Sequence, residues 1–235
     1  MGRFMPDPTR GTVIFDLDGT LVDSAPDLAD ALDTLLTEMG LEPLGVDRVR
    51  QMIGHGMAEL VRKGLIARGA LPEPPELAHA VQRFTTYYTA NLSRKSTAYP
   101  GTKEVLNTLH LAGWRLVVCT NKLESSARRL LHDLGLLSAF AVVAGPDTFG
   151  VAKPDPAHLL GCLPHTNPAS RPAVMIGDSE VDIAAAKAAG LPVIAVTWGY
   201  AQTSLDELAP DMVSSTMLEI PAQVEQLIGQ SPAVA

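Results

Sequence analysis

The chain has 235 residues, of which 46% are hydrophobic and 19% are charged, and its formal net charge at neutral pH is −8. This balance is typical of a globular protein with a substantial core, and the length allows one large domain or a core with a subsidiary domain. The acidic balance argues against electrostatic binding of nucleic acid or of an anionic membrane surface, while a local positive site for a small anion stays compatible with it.

Cysteine usage and the first residues set further limits. Cys119 and Cys162 are too few for a disulfide scaffold and do not have the spacing of a metal site. The opening residues MGRFMPDPTRG lack the apolar core of a signal peptide, and no uncharged apolar run is long enough to span a bilayer. We therefore expect a cytoplasmic protein with no membrane partner, and the sequence does not distinguish a monomer from a homodimer.

The first predicted element is a buried strand, TVIFD at residues 12–16, and a helical region follows it. Three segments of that region have helical patterns: 25–39, 57–68 and 76–92. Asp23 and Ser24 are predicted to cap the first of these helices, which starts near Pro26. An insertion of roughly seventy residues is much longer than a usual connection in an α/β fold, so we predict a separate helical cap domain at residues 23–95.

After the helical region, short apolar runs alternate with segments of helical periodicity. Further strands are predicted at RLVVCT (115–120), FAVVAG (140–145), AVMIGD (173–178) and PVIAVT (192–197), with an edge strand near 211–214. Helices are predicted at 102–112, 123–134, 155–163, 179–189 and near 217–228. The alternation predicts an α/β fold with a Rossmann-like parallel sheet and helices on both faces, in a core made of residues 1–22 and 96–235.

Polar residues that suit one chemistry stand at the predicted carboxyl ends of these strands or in the loops that follow. They are Asp16, Asp18, Thr120, Asn121, Lys153 and Asp178. Ligands of an open parallel sheet bind beyond these strand ends. Carboxylates suit Mg²⁺, which keeps positions for water and substrate phosphate, while a hydroxyl, backbone N–H groups and a lysine can hold the phosphate oxygens. The set therefore predicts phosphoryl transfer.

Competing motifs are excluded by their spacing. A calcium-binding EF-hand loop starting at Asp16 would need Gly and Glu where the chain has Leu21 and Asp27. The stretch GHGMAE (54–59) imitates a dinucleotide fingerprint, but it ends in Glu59 and does not follow a strand. The chain also contains no P-loop and no nucleophile elbow.

Four ordered motifs resemble those of the haloacid dehalogenase-like hydrolases, specifically the phosphatases with a helical cap inserted after the first strand. The motifs are FDLDGT (15–20), CTN (119–121), KP (153–154) and GDSEVD (177–182). The resemblance covers nearly the whole chain, and each motif falls at a predicted strand end or in the following loop. Dehalogenases of this family lack an acid two residues after the nucleophile, so Asp18 favours phosphate chemistry.

The resemblance implies a role for each acidic residue. Asp16 would attack phosphorus as the nucleophile to give an aspartyl-phosphate, and Asp18 would act as general acid and then as general base. Mg²⁺ would be held by Asp16, Asp178 and the backbone carbonyl of Asp18. Asp182 lies one helical turn beyond Asp178 and would bond metal-bound water or Lys153.

The phosphate itself would be bound by three further residues. The resemblance implies that Thr120 and the Asn121 N–H bind phosphate oxygens and that Lys153 neutralises both the phosphate and the nucleophile. Lys122, the next residue in TNK, either approaches this site or is a surface lysine at a helix start.

The stretch MIGHGMAELVRKGL (52–65) carries the prediction of the substrate. Gly54 and Gly56 allow close backbone approach, and N–H groups at the start of the following helix can bind an anion. With His55, TNK and TWGY (197–200), this stretch resembles bacterial phosphoglycolate phosphatases, which implies hydrolysis of 2-phosphoglycolate to glycolate and phosphate.

Three alternatives stay open at this point. Gly54 and Gly56 can instead form a glycine-rich helix cap that leaves His55 facing solvent. Sugar-phosphate phosphatases, including an N-acetylmuramate 6-phosphate phosphatase, share many of the same sequence motifs. A phosphomutase of the same family would also keep Asp16 and Asp18.

Overall fold

The computed structural model of the chain describes residues 10–164 and 172–228. Its strands are β1 (Gly11–Phe15), β2 (Val22–Asp23), β3 (Thr97–Ala98), β4 (Trp114–Cys119), β5 (Val142–Ala144), β6 (Ala173–Gly177), β7 (Val193–Val196) and β8 (Met212–Ser214). Strands β2 and β3 form a short antiparallel pair. The other strands form one parallel sheet in the order β5-β4-β1-β6-β7-β8.

The helices lie before, between and after these strands. They are α1 (Ala25–Glu38), α2 (Val46–Arg50), α3 (Met57–Ala67), α4 (Pro74–Asn91), α5 (Thr102–Leu111), α6 (Glu124–Asp133), α7 (Pro146–Phe149), α8 (Pro156–Gly161), α9 (Glu180–Ala188), α10 (Leu205–Leu208) and α11 (Ile220–Ile228). Across residues 10–164 and 172–228, no helix combines the length and the apolar character that crossing a membrane requires.

Strand β1 is the centre of the sheet and is buried along its whole length. Val13 and Phe15 join a cluster with residues of α5 and α11 on one face, whereas Ile14 joins a cluster with residues of α8 and α9 on the other. This alternation follows from the two-residue period of a strand. The predicted α/β fold, with a parallel sheet covered on both faces, is confirmed.

The neighbours of β1 decide where a site can form. Phe15 aligns with Val118 of β4 on one side and with Ile176 of β6 on the other. Since β4 and β6 lie on opposite sides of β1, the strand order reverses here, and a crevice opens beyond the carboxyl ends of these three strands.

Four helices, α1 to α4, fill the region between β1 and β3. Leu32, Leu36, Phe84 and Tyr88 are fully or almost fully buried in its interior, and Phe84 stacks on Tyr88 with ring centroids 5.8 Å apart. Helix α2 is one turn of helix that sequence periodicity does not reveal, because five residues are too few to establish a repeat.

The division of the chain into a core and a cap domain stays a prediction. The β2–β3 pair lies where the chain enters and leaves the helical region, at Val22–Asp23 and Thr97–Ala98. Three parts of the predicted core range, residues 1–9, 165–171 and 229–235, lie outside the described residues.

The predicted capping role of Ser24 is wrong. Ser24 does occupy the N-cap position of α1, but its φ of −100° and ψ of −3° are helical, and its side chain makes no capping bond. Its hydroxyl donates to Asp18 Oδ1 instead. A hydrogen bond between the hydroxyl and a carboxylate is stronger than one between the hydroxyl and a neutral backbone N–H, so the contact with Asp18 is favoured over a capping bond.

The hydroxyl of Tyr200, in the loop after β7, caps the N-terminus of α1 instead. The N–H groups of Ser24 and Ala25 donate to Tyr200 Oη at 2.9 and 3.1 Å. Asp23 Oδ1 accepts the Tyr200 hydroxyl at 2.7 Å and lies 3.4 Å from the Ala25 N–H. Asp23 therefore contributes to the start of α1 mainly through Tyr200.

Candidate active site

The crevice beyond β1, β4 and β6 gathers the polar residues that the sequence singles out. Asp16, Asp18, Thr120, Asn121 and Lys153 line a common cavity with a volume of about 50 Å³. The cavity also contacts the helical region, through Leu28, Ile53, Gly54, Gly56, Met57 and Leu60. A space of this size holds only a few water molecules, so it suits a small ligand.

Lys153 connects two carboxylates inside the crevice. Its Nζ donates to Asp16 Oδ1 at 2.7 Å and to Asp182 Oδ1 at 2.6 Å, and only 1% of its side chain is exposed. Burial alone would lower the pKa of the Lys153 ammonium, but Asp16 and Asp182 outweigh that effect and raise it. Lys153 is therefore a permanent positive charge beside Asp16.

Burial has the opposite consequence for Asp16. It raises the pKa of this carboxyl to about 7, with Lys153 opposing the rise and Asp182 adding to it. Burial likewise raises the pKa of Asp178 well above its usual range, and repulsion by Asp182 and Asp16 adds to the shift. Ionising both carboxyls together therefore calls for a further positive charge.

Asp182 is fixed at the start of α9. Its Oδ2 accepts hydrogen bonds from the Ser179 hydroxyl at 2.6 Å, the Ser179 N–H at 3.0 Å and the Asp178 N–H at 3.2 Å. Its Oδ1 accepts from Lys153. Through these bonds Asp182 positions Lys153 and the backbone that carries Asp178.

Asp178 is held just as closely on the other side of the crevice. Its Oδ1 accepts the Thr20 hydroxyl at 2.8 Å and its Oδ2 accepts the Tyr200 N–H at 2.7 Å. Gly19, with a φ of +91°, and Gly199 lie against it so closely that a Cβ on either would be within 2.4 Å of an Asp178 atom. Glycine is therefore needed at both positions to seat this carboxylate.

The donor set fits a hard divalent cation. Carboxylate oxygens of Asp16, Asp178 and Asp182 lie within 4.8 Å of one another. Four carboxylates of the crevice, those three and Asp18, face the ammonium groups of Lys153 and Lys122. Two negative charges remain uncompensated when all four are ionised, which is the charge of one Mg²⁺ or a similar ion with oxygen ligands.

Sequence reasoning left the position of Lys122 open, and the structure places it inside the site. Its Nζ donates to Asp18 Oδ2 at 2.7 Å and to Oδ1 at 2.8 Å, and only 4% of its side chain is exposed. Lys122 also lies 5.0 Å from the ring centre of Tyr88 in α4. Burial alone would lower the pKa of Lys122, but Asp18 outweighs burial and raises it, so this lysine stays charged.

Thr120 and Asn121 follow β4, as expected, and they also organise the neighbouring loops. The Thr120 hydroxyl accepts the Lys122 N–H at 3.2 Å. The Asn121 side chain accepts the Lys153 N–H at 2.9 Å and donates to the Lys153 carbonyl at 3.0 Å and to the Gly54 carbonyl at 3.2 Å. Asn121 thus ties the loop of Lys153 to the helical region.

Of the three residues predicted to recognise the leaving group, two line the cavity and one does not. Gly54 and Gly56 line the cavity, and Gly56 immediately precedes α3. His55 does not line it; its Nε2 lies 3.8 Å from Glu180 Oε1, and 41% of its side chain is exposed. His55 therefore contacts the start of α9 across the rim of the cavity.

Two residues beside Asp178 were not singled out as site residues from the sequence. Thr20 belongs to FDLDGT and Tyr200 to TWGY, so both lay within quoted motifs. Their contacts depend on how the loops after β1 and β7 fold back over Asp178, which a motif alone does not specify.

The comparisons with known proteins agree with this geometry. Residues 13–196 match the family described as haloacid dehalogenase-like hydrolase. A phosphoglycolate phosphatase of Caulobacter vibrioides is 40% identical over 97% of this chain and 96% of its own length. One of Agrobacterium fabrum is 39% identical over 97% of this chain and 98% of its own. The crystal structure of a predicted phosphoglycolate phosphatase from Haemophilus somnus 129PT has a TM-score of 0.84 at 28% identity, covering 92% of this chain and 98% of that one.

The chain belongs to the haloacid dehalogenase-like hydrolases. Within that family it is a phosphoric monoester hydrolase that resembles the phosphoglycolate phosphatases, at about 40% identity over nearly its whole length.

Replacing Gly199 by alanine tests the seating of Asp178. The added Cβ would lie 2.1 Å from Asp178 Cβ, so the carboxylate must move. We expect G199A to lower kcat/KM for hydrolysis of a small phosphomonoester by roughly 100-fold, as a displacement of about 1 Å within an active site can do. Thr197→Ala, a change of an exposed residue in the same loop, is the control and should keep wild-type activity. Full activity in G199A would contradict the close packing.

Proposed function

We propose that the protein is a Mg²⁺-dependent phosphatase that hydrolyses 2-phosphoglycolate to glycolate and phosphate through an aspartyl-phosphate intermediate. The observation that carries this proposal is Asp16, a carboxylate at the end of β1 that opens on a small cavity and is paired with Lys153. The similarity to phosphoglycolate phosphatases over nearly the whole chain supports the choice of substrate.

The first step is attack by Asp16 on phosphorus. A bond forms between an Asp16 carboxylate oxygen and phosphorus, and the bond from phosphorus to the ester oxygen breaks. Asp18 gives a proton to that ester oxygen, which leaves as the hydroxyl of glycolate. Lys153 offsets the negative charge that gathers around Asp16 and the phosphate, with Thr120 and the Asn121 N–H holding phosphate oxygens.

The second step regenerates the protein. Asp18, now a carboxylate, takes a proton from water, whose oxygen attacks the phosphorus of the aspartyl-phosphate and releases inorganic phosphate and the Asp16 carboxylate. The pairing of Asp18 with Lys122 and Ser24 keeps its carboxylate aimed at the same place in both steps. Mg²⁺, held by Asp16, Asp178 and the backbone carbonyl of Asp18, would supply neutralisation of charge on the phosphate oxygens.

A panel of phosphomonoesters tests the substrate. With Mg²⁺ present, we expect kcat/KM for 2-phosphoglycolate to exceed that for hexose phosphates, N-acetylmuramate 6-phosphate, nucleotides and phosphoserine by roughly 100-fold, because the cavity is small. Released phosphate is the quantity to measure. The highest kcat/KM for N-acetylmuramate 6-phosphate would make the protein a sugar-phosphate phosphatase, and transfer of phosphate to a sugar product without release would make it a mutase.

The cytoplasmic location and the monomeric or homodimeric state stay predictions.

An Asp16→Asn variant tests the nucleophile. The amide cannot form the acyl phosphate, so we expect turnover to fall by at least about 1,000-fold and acid-quenched protein to carry no phosphate. Wild-type protein quenched during turnover should carry phosphate that hydroxylamine removes. Asp206→Asn, which changes an exposed carboxylate of α10, is the matched control. Normal turnover by D16N would remove Asp16 from the mechanism.

The pH dependence of metal binding follows from the raised pKa of Asp16, which burial brings to about 7. A cation needs the ionised carboxyl, so protons compete with it below that pH. We expect Mg²⁺ to raise the unfolding temperature clearly at about pH 8 and much less at about pH 5.5. Without metal the sign reverses for this group: its raised pKa favours the folded state more as pH falls from about 7 towards 4.

Thermal unfolding with Mg²⁺ or with EDTA measures this effect. Asp178→Asn should abolish the metal-dependent shift at either pH, whereas Asp206→Asn should keep it. An equal Mg²⁺ shift at both pH values, or undiminished phosphatase activity in EDTA, would count against a metal at Asp16 and Asp178.

A further inference from the structure

The cavity presents two cationic side chains among the residues that line it, Lys122 and Lys153. They are not equivalent. Lys153 forms ion pairs with Asp16 and with Asp182, and Asp182 does not line the cavity. Lys122 lies instead beside Asp18 and Tyr88 of α4.

Lys122 has one N–H donor that no carboxylate accepts. An ammonium group carries three N–H donors. Two are directed at the two oxygens of Asp18, at 2.7 and 2.8 Å. On the remaining side the ammonium meets the ring and the neutral hydroxyl of Tyr88, and a neutral hydroxyl is a weaker acceptor than a carboxylate. A further anionic acceptor in the cavity would complete its coordination.

The position of Lys122 matches the geometry of one kind of leaving group. In the proposed mechanism Asp18 protonates the ester oxygen, and the Lys122 Nζ lies within hydrogen-bond distance of that same carboxylate. In 2-phosphoglycolate a single carbon separates the ester oxygen from the carboxylate carbon. An ester oxygen placed at Asp18 therefore brings the substrate carboxylate next to Lys122.

We propose that Lys122 binds the carboxylate of the substrate and so selects phosphomonoesters whose leaving group carries a carboxylate next to the ester carbon. This inference rests on the proposed function and names the side chain that recognises the leaving group. The helical region contributes the apolar side chains of Leu28, Ile53, Met57 and Leu60 to the cavity lining, and these carry no charge. His55 is turned towards Glu180 at the rim.

The test compares two substrates of equal chain length in a Lys122→Met variant. Ethyl phosphate replaces the carboxylate of 2-phosphoglycolate by a methyl group. Loss of the contact between Lys122 and Asp18 affects both substrates, whereas loss of a carboxylate contact affects only one. We expect the ratio of kcat/KM for 2-phosphoglycolate to that for ethyl phosphate to fall by about 30-fold in K122M, the size of one charge-assisted hydrogen bond, with KM for 2-phosphoglycolate carrying most of the change.

Lys63→Met is the matched control, because Lys63 is a lysine of α3 outside the cavity lining, and it should leave the ratio unchanged. If K122M does not fold, Lys122→Gln is measured with glycolate as a competitive inhibitor of ethyl phosphate hydrolysis. The inhibition constant of glycolate should then rise by a similar factor.

The outcomes separate this inference from the function on which it rests. An equal loss for both substrates in K122M, or an unchanged glycolate inhibition constant in K122Q, would overturn the inference and leave Lys122 as a positioning residue for Asp18. A wild-type protein that hydrolyses ethyl phosphate as well as 2-phosphoglycolate would instead overturn the proposed substrate, whatever the variant does.

Discussion

The ion pair that Lys153 makes with Asp16 and Asp182 is the interaction on which the site depends. Carboxylates that gather at the end of a buried strand repel one another and lose their hydration, and a buried carboxylate without a partner costs several kcal/mol. Lys153 meets both at hydrogen-bond distance where water is excluded. Asp182 is itself anchored by Ser179 at the start of α9. The nucleophile proposed here is thus positioned by a lysine whose own place is fixed from the opposite side.

A second set of contacts connects the helical region to the same carboxylates. Tyr200 offers its N–H to Asp178 and its hydroxyl to Asp23, while that hydroxyl also accepts the first N–H groups of α1. Arg50 of α2 pairs with the other oxygen of Asp23 at 2.8 Å. A displacement of α1 or α2 relative to the sheet would therefore disturb contacts that end at Asp178. The placement of α1 and α2 and the seating of Asp178 therefore depend on one hydrogen-bond network.

The fold was predictable from the sequence because its signals are local. The run of Val and Ile in β1 and the spacing of the apolar residues in α1 are properties of neighbouring residues, and both elements fall within one residue of their predicted bounds. The contacts of Ser24 and Lys122 were not predictable in the same way. Each depends on where Asp18 turns after the strand, and Lys122 also contacts Tyr88, which is distant in the chain.

In the proposed mechanism the leaving group and the phosphate contact parts of the cavity that are built from different elements. The phosphate end is made by residues that follow β1 and β4, whose backbone positions the sheet register fixes. Another part of the lining is made by side chains of α1 and α3, which lie outside the sheet. Lys122 lies in the loop after β4, yet it reaches Tyr88 in α4 of the helical region. In the proposed mechanism a charge at Lys122 discriminates between leaving groups while the chemistry at Asp16 stays the same, because Lys122 pairs with Asp18 and Lys153 pairs with Asp16.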